Sequence, residues 1–315
     1  MDDPSAPASA WSDDARWTRE AGGGVLLRAT ERPDSPLLER FMAGYDRAFV
    51  LPDEREELEG FRACLAANPA SRRRFGRLHR ELVVVIEEAA SGALLGGANF
   101  LATRIDTAPA DHPRVAIALN YLFVEPAARG RGLARLLKEE VGRLGNIAVD
   151  LPSEAGAPAM FIEQNDPLRL SDAEYAADSQ HAGIDQVDRL AVWAHMGAQL
   201  VDFGYVQPAL SAGQGNDDGL AYAVMNLARG TVDAGYLRAH LESFFGISVL
   251  KGGDPAADPV AGRQLEELAA LAAAGKEVAL LPMAPAIARL RALHSRPSGG
   301  TLRAFARGAL HQGER

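Results

Sequence analysis

The chain has one cysteine, Cys64, so it cannot form an internal disulfide, and the amphipathic helical stretch around Cys64 reads as the setting of a buried, inert thiol rather than a nucleophile. The same features argue against redox chemistry and a Cys-His nucleophile. No apolar run approaches the roughly 18 to 20 residues that a helical membrane span needs. The start, Met1-Asp2-Asp3-Pro4, is acidic rather than a basic, apolar leader. Both features predict a cytoplasmic protein with no membrane partner. The seven histidines show no HxxxH or cysteine-paired spacing, which argues against a metal site. Lysine is scarce, three residues against thirty arginines, and the net charge is −9. A field of that sign repels nucleic acid and favours encounter with cationic small molecules.

With 47% hydrophobic and 24% charged residues, the 315-residue chain has material for one large core or a core with a small appendage. Residues 1–23, rich in Asp, Ser, Ala and Pro, read as a mobile lead-in, and the fold is expected to begin near Val25. A strand from Val25 is followed by helical spacing over Ser35 to Val50 and Asp53 to Asn68, the second with Asp53 and Glu56 placed as a capping box. Glu81 to Glu87 and Leu94 to Thr103 read as an antiparallel hairpin, Val115 to Val124 as the next strand, and Leu133 to Leu144 as an amphipathic helix. Met160 to Glu163 is a short strand, and the acidic stretch from Asp166 to Ile184 is a candidate acceptor-binding lid before a helix from Val187 to Met196. Two further strands, Leu200 to Leu210 and Leu220 to Leu227, flank a Gly/Asn/Asp turn. The pattern then changes. Residues 230–294 read as an α/β appendage containing helices Asp233 to Phe245 and Ala261 to Ala274 and strands Ile247 to Leu250 and Glu277 to Leu281. Residues 295–315 read as a disordered basic tail.

The most informative stretch is Tyr121 to Ala134, an apolar strand that enters a turn containing Gly130 and Gly132 and then a helix. A helix start exposes unpaired amides and the positive end of its dipole, so it is a cradle for a diphosphate. A Rossmann reading fails because Arg135 stands where the third glycine is required, and the phosphate-loop NTPase pattern is absent. The spacing of Arg129, Gly132 and Ala134 after Val124 resembles the acyl-CoA site of the GNAT superfamily of N-acyltransferases, over residues 25–229. That resemblance implies an α/β fold of the α+β kind, a mixed, mostly antiparallel sheet flanked by helices, with a parallel pair splayed apart at the site. It implies acetyl-CoA or another acyl-CoA as cosubstrate and no metal. Phe123 and Val124 would pair with the pantetheine arm, Arg129, Gly130, Arg131, Gly132, Leu133, Ala134 and Arg135 would hold the diphosphate, and Asn165 on the facing wall would hydrogen-bond the same ligand.

Amide formation requires an ammonium to lose a proton, the free amine to attack the thioester, and the departing thiolate to be protonated or stabilised. Positions where members of the superfamily often carry a base or an acid fall here on Ala118, Asn120 and Trp193. The substitutes are Glu163 as base and Tyr121 or Tyr205 as proton donor, with catalysis by proximity alone as a further option. His195 reads as a helix C-terminal dipole partner. Acidic residues at 53, 54, 56, 57 and 59, and at 166, 172, 174, 178, 185 and 188, read one by one as solvated helix faces; taken together, two acidic segments flanking the slot favour a cationic small-molecule amine over an anionic one. The rival reading, fed by the missing base and acid, is a catalytically idle acyl-CoA-binding sensor or protein-interaction module.

Overall fold

The computed structural model describes residues 16–49, 55–68, 73–211, 213–297 and 299–313. Its strands are β1 (Arg16–Ala21), β2 (Val25–Thr30), β3 (Arg73–Arg74), β4 (Arg77–Glu88), β5 (Leu94–Arg104), β6 (Val115–Val124), β7 (Ala159–Asn165), β8 (Gln199–Val201), β9 (Leu220–Met225), β10 (Thr231–Asp233) and β11 (Glu277–Pro282). Its helices are α1 (Pro36–Ala48), α2 (Leu58–Ala66), α3 (Leu133–Ala148), α4 (Asp172–Ala182), α5 (Gln186–His195), α6 (Ala234–Phe244), α7 (Pro259–Ala273), α8 (Met283–Arg291) and α9 (Leu302–Gly313). One sheet runs in the order β1-β2-β4-β5-β6-β7-β9-β8-β11-β10, with β3 beside β4. Every neighbouring pair is antiparallel except β6 and β7.

The unbroken apolar run of β4 is what a strand covered on both faces requires. Leu82, Val84 and Ile86 pack with Leu137, Val141 and Leu144 of α3. Val83 and Val85 point the other way, onto Phe41 and Tyr45 of α1 and Phe61 of α2. The predicted amphipathic helix after the turn therefore exists and runs to Ala148, four residues beyond the expected end. The C-terminal part extends the main sheet: β11 pairs with β8, Leu280 opposite Val201. Leu237, Phe245 and Leu265 share a core with Leu101 and Phe161.

The structure departs from the sequence expectations at several points. Residues 1–15 lie outside the described residues, but the sheet starts before Val25, because Arg16–Ala21 forms a hairpin with β2. There the Trp17 ring sits 4.1 Å under the Arg143 guanidinium, and Arg19 pairs with buried Glu140. Asp53 lies outside the described residues, and Glu56 is no capping-box partner: Glu57 is the N-cap of α2, and Glu56 pairs with Lys251 at 2.7 Å. Ile247–Leu250 is not a strand, since Phe245–Val249 continues α6 as a π-helical segment. A short apolar run buried on every side reads alike for strand and helix. Of Leu200–Leu210 only the first two residues join a strand, and the chain then turns away, touching its return limb at the bridge between Gln207 and Asp217. Leu302–Gly313 is a helix rather than a disordered tail; Leu302 and Ala306 are buried, and Asp166 accepts from the Leu302 amide at 2.7 Å.

Candidate active site

β6 and β7 pair from Ala116 opposite Ala159 to Leu119 opposite Ile162, and no further. Beyond that point β6 keeps its other neighbour: Tyr121, Leu122, Phe123 and Val124 pair with Asn99, Ala98, Gly97 and Gly96 of β5. The β7-facing edge of Asn120 to Val124 is thus open to a cleft, with the backbone of an extended arm as its natural partner. The divergence starts at a bulge. Asn99 pairs with Tyr121 and Phe100 with Leu119, leaving Asn120 as the extra residue. Gly96 makes room at the end of this edge, where a Cβ would lie 2.6 Å from the Phe123 carbonyl oxygen. The Phe123 ring itself is buried against Phe41, centroids 5.5 Å apart, so Phe123 offers the cleft its backbone.

At the end of β6, Pro126–Ala128 forms a single 3-10 turn. Gly130 and Gly132 follow at φ +79° and +75°, and Gly132 is the N-cap of α3. Those left-handed conformations turn the chain into α3, whose first-turn amides have no partner within the helix, and Ala134 of that turn lines the cleft. Leu133 is buried under the turn, while Arg131 and Arg135 are exposed. Arg129 lines the cleft and donates to the Ala182 and Gly183 carbonyls at 2.8 and 3.1 Å, tying the end of α4 to the turn. Asn165, at the end of β7, lies 3.5 Å from Asp178 of α4, which pairs with Arg189 at 2.8 Å. The inserted segment therefore covers the cleft through Arg129 and Asn165.

The cleft has a volume of about 550 Å³. Two carboxyls among its lining, Glu163 and Glu81, are held by neutral side chains. Glu163, on the splayed part of β7, accepts from the Tyr205 hydroxyl and, at 3.2 Å, from the Gln207 amide. Burial pushes its pKa up to about 7, against the pull of the Tyr205 hydrogen bond. Glu81 of β4 is 1% exposed. It accepts from Asn99 at 2.8 Å, Asn120 at 2.9 Å and Ser248 at 2.9 Å, and burial pushes it, too, up to about 7. Tyr121 and Tyr205 are held well above the usual phenol range, first by burial. Tyr205 is engaged with Glu163. Tyr121 is hydrogen-bonded to Tyr45 and feels the charges of Glu56 and Glu163. Trp193 and Met196 of the α5 end also line the cleft, and His195 is exposed in the last turn of α5.

Sequence reasoning missed Glu81. Its signal was a carboxylate inside a run of strand residues buried on both faces, with asparagines at 99 and 120 on the next two strands; only β4–β5–β6 pairing shows that the three meet. Asn120, where a base is often found in the superfamily, hands its amide to Glu81 instead. The acidic segments also play a different part from the one expected. Glu56 pairs with Lys251, Glu59 with Arg62, Asp172 with Arg296, and Asp188 with Arg291. Asp185 caps α5, and Glu174 completes the capping box of α4 with the N-cap Ser171. Asp53 and Glu54 lie outside the described residues. Among the described residues no group of three or more His, Cys, Asp or Glu side chains is placed to hold a metal, and no helix is long and apolar enough to cross a membrane.

The splayed parallel pair, the bulge on β6 and the glycine turn into α3 give the chain a GNAT-type fold. No protein-family model matches the sequence and no curated protein matches it. Solved structures that it is similar to include acetyltransferases. One is a variant of spermidine N-acetyltransferase from Vibrio cholerae, 14% identical, with 65% of this chain and 94% of that chain covered and a TM-score of 0.34. Another is a GNAT family N-acetyltransferase from Escherichia coli in complex with CoA, 18% identical, with 67% and 85% covered and a TM-score of 0.30. A third is NAA60 of Arabidopsis thaliana in complex with acetyl-CoA, 15% identical, with 64% and 98% covered and a TM-score of 0.31.

Burial raises Glu81 above its unfolded value, so between about pH 4.5 and 7 the native state holds more protons than the unfolded chain and stability falls as pH rises through that window. Glu81→Gln keeps a carbonyl acceptor for the two asparagines and lets its amide donate to Ser248. The variant is expected to melt several degrees above the parent at pH 8 and within about a degree of it at pH 5. Thermal denaturation at both pH values checks this; an equal gap at both would mean that Glu81 does not titrate in this range.

Proposed function

We propose that the chain is an N-acyltransferase that moves an acyl group, most simply acetyl, from acyl-CoA to a primary amine by direct attack in a ternary complex. The observation that carries this reading is a single cleft lined by the open edge of β6, by Arg129 and Ala134 on either side of the glycine turn, and by Glu163, a carboxyl of near-neutral pKa. The donor set fits an acyl-CoA. The β6 edge at Phe123 and Val124 would hold the pantetheine arm, the amides from Gly130 to Arg135 with the exposed arginines would hold the phosphates, and Asn165 would close the facing wall. The thioester supplies an electrophilic carbonyl carbon.

Glu163 takes one proton from the incoming ammonium. The freed amine forms the C–N bond as the C–S bond breaks, and the second amine proton ends on the departing sulfur, for which Tyr121, which lines the cleft, is the candidate proton relay. Tyr205 positions Glu163 and sets its proton affinity. Glu163 must be ionised to act, so the rate should rise with pH through about 7. Tyr205→Phe removes a hydrogen bond that favours the ionised form, and the ascending limb of the pH-rate profile is expected to move to higher pH. A limb that stays in place or moves down would separate Tyr205 from the titration of Glu163. The lone buried thiol, Cys64, held protonated by burial, suits a reducing compartment such as the cytoplasm.

The first experiment is thiol release from acetyl-CoA in the presence of polyamines, amino sugars, amino acids and short peptides, with a no-acceptor control. Acceptor-dependent release establishes the activity. Tight acetyl-CoA binding with no release above background for any amine would replace it by the sensor reading.

A further inference from the structure

Within the acyltransfer reading, we propose that the acceptor is a diamine, a chain with an ammonium group at each end, and that Glu81 forms the subsite for the end that does not react. Three acids along the cleft are matched by cations: Glu56 with Lys251 at 2.7 Å, Asp178 with Arg189 at 2.8 Å, and Glu125 with Arg47 at 2.5 Å. Glu81 and Glu163 are placed differently. Their hydrogen-bond partners are neutral Asn, Ser, Tyr and Gln side chains, and among the described residues neither has a cation. A buried carboxylate without a cation is a costly arrangement that an incoming ammonium relieves.

A second observation lies beside Glu81. Asn120 must turn its Nδ2 toward the carboxylate, because its oxygen there would face another acceptor. With that orientation its Oδ1 is buried and has no partner. An N–H donor from a ligand bound at Glu81 satisfies both groups. Part of the cleft wall is aromatic. Phe49, Phe61 and Tyr121 line the cleft, with ring centroids 5.1 and 5.5 Å from Tyr121 to the two phenylalanines. Such a wall suits a methylene chain and attracts cations at either end.

The spacing is compatible with one ligand reaching both ends. Glu81 is level with Leu101, Ala118 and Phe161 across the sheet, and Glu163 lies two residues farther along β7. Three strand spacings and two residues put the two Cα atoms ~16 Å apart, with both residues on the sheet face that carries Leu101, Ala118 and Phe161. A single ammonium leaves one carboxyl unmatched, and an amino acid brings a third carboxylate into an already acidic cleft.

The test compares diaminobutane and diaminohexane with butylamine and hexylamine as acceptors, and measures the binding of all four by calorimetry, for the parent and for Glu81→Gln. Diamines are expected to exceed the matched monoamines by at least tenfold in kcat/KM, with a single acylated end as product. In Glu81→Gln that ratio should collapse toward one, mainly through the KM for diamine. Repeating the series at high salt removes the general pull of the chain's −9 charge on a dication. A parent ratio near one, with monoamines turned over, overturns the diamine inference and leaves acyltransfer standing. If no amine is turned over but diamines bind selectively and Glu81→Gln abolishes that selectivity, the subsite stands and acyltransfer falls. Equal binding of diamines and monoamines in the absence of turnover overturns both.

Discussion

Glu163→Gln is expected to lower kcat by roughly 10²-fold or more while the affinity for acetyl-CoA stays within a few-fold of the parent, because removing a general base acts on proton transfer and not on the phosphate cradle. The amide keeps the shape of the side chain and can still accept from Tyr205, so the fold should be undisturbed. The pH-rate profile carries the argument further. In the parent the rate rises through about pH 7 as Glu163 loses its proton; in the variant that limb should vanish. Glu81 titrates in the same range, so Glu81→Gln is the necessary companion. If the limb survives in Glu163→Gln and disappears in Glu81→Gln, the base is Glu81 and the roles of the two carboxyls are exchanged. If it survives in both, protons leave to solvent and neither carboxyl is the base.

Gly132→Glu is expected to abolish measurable acyl-CoA binding without unfolding the protein. At φ +75° a non-glycine residue costs about 1–2 kcal/mol of backbone strain, a loss that a domain of ordinary stability survives. A Cβ there meets nothing within 4 Å, so steric conflict within the chain adds little. The decisive effect is a negative charge placed at the start of α3, where the amides of the turn would otherwise hold phosphate oxygens. Gly132→Ala isolates the strain: it should lower the melting temperature by a similar amount and keep binding within about tenfold. Calorimetry with acetyl-CoA on both variants separates the two contributions. Normal binding by a folded Gly132→Glu protein would remove the phosphate site from this turn.

The elements around the turn were legible because their signals are local. The apolar run of β6, the glycines at 130 and 132, and the periodic burial of Leu133, Leu137, Val141 and Leu144 each follow from a few neighbouring residues. The same holds for Glu163, whose position on a short strand facing the turn follows from element order. Where the local signal is ambiguous the reading went astray. Phe245–Val249 has the composition of a strand, but α6 runs into it and Phe245, Ile247 and Val249 are buried in the apolar core beside it, so it stays helical. Leu302–Gly313 carries enough charge to resemble a free tail, and only the docking of Leu302 and Ala306, with Asp166 at the helix start, holds it in place.

By itself, the amino-acid sequence determined the strand-turn-helix unit, the alternation of elements on either side of it and one carboxyl at the cleft, since backbone conformation and amphipathic periodicity depend on residues a few positions apart. Only the tertiary structure decided that β6 and β7 part after Leu119 and Ile162, that Glu81 meets Asn99, Asn120 and Ser248 across 167 positions of chain, and that the acids of the inserted segment are used up on internal partners. The physical reason is that the charge state and proton affinity of a carboxyl depend on burial and on donors brought from distant parts of the chain, and those are set when the sheet closes and the π-helical segment packs against it.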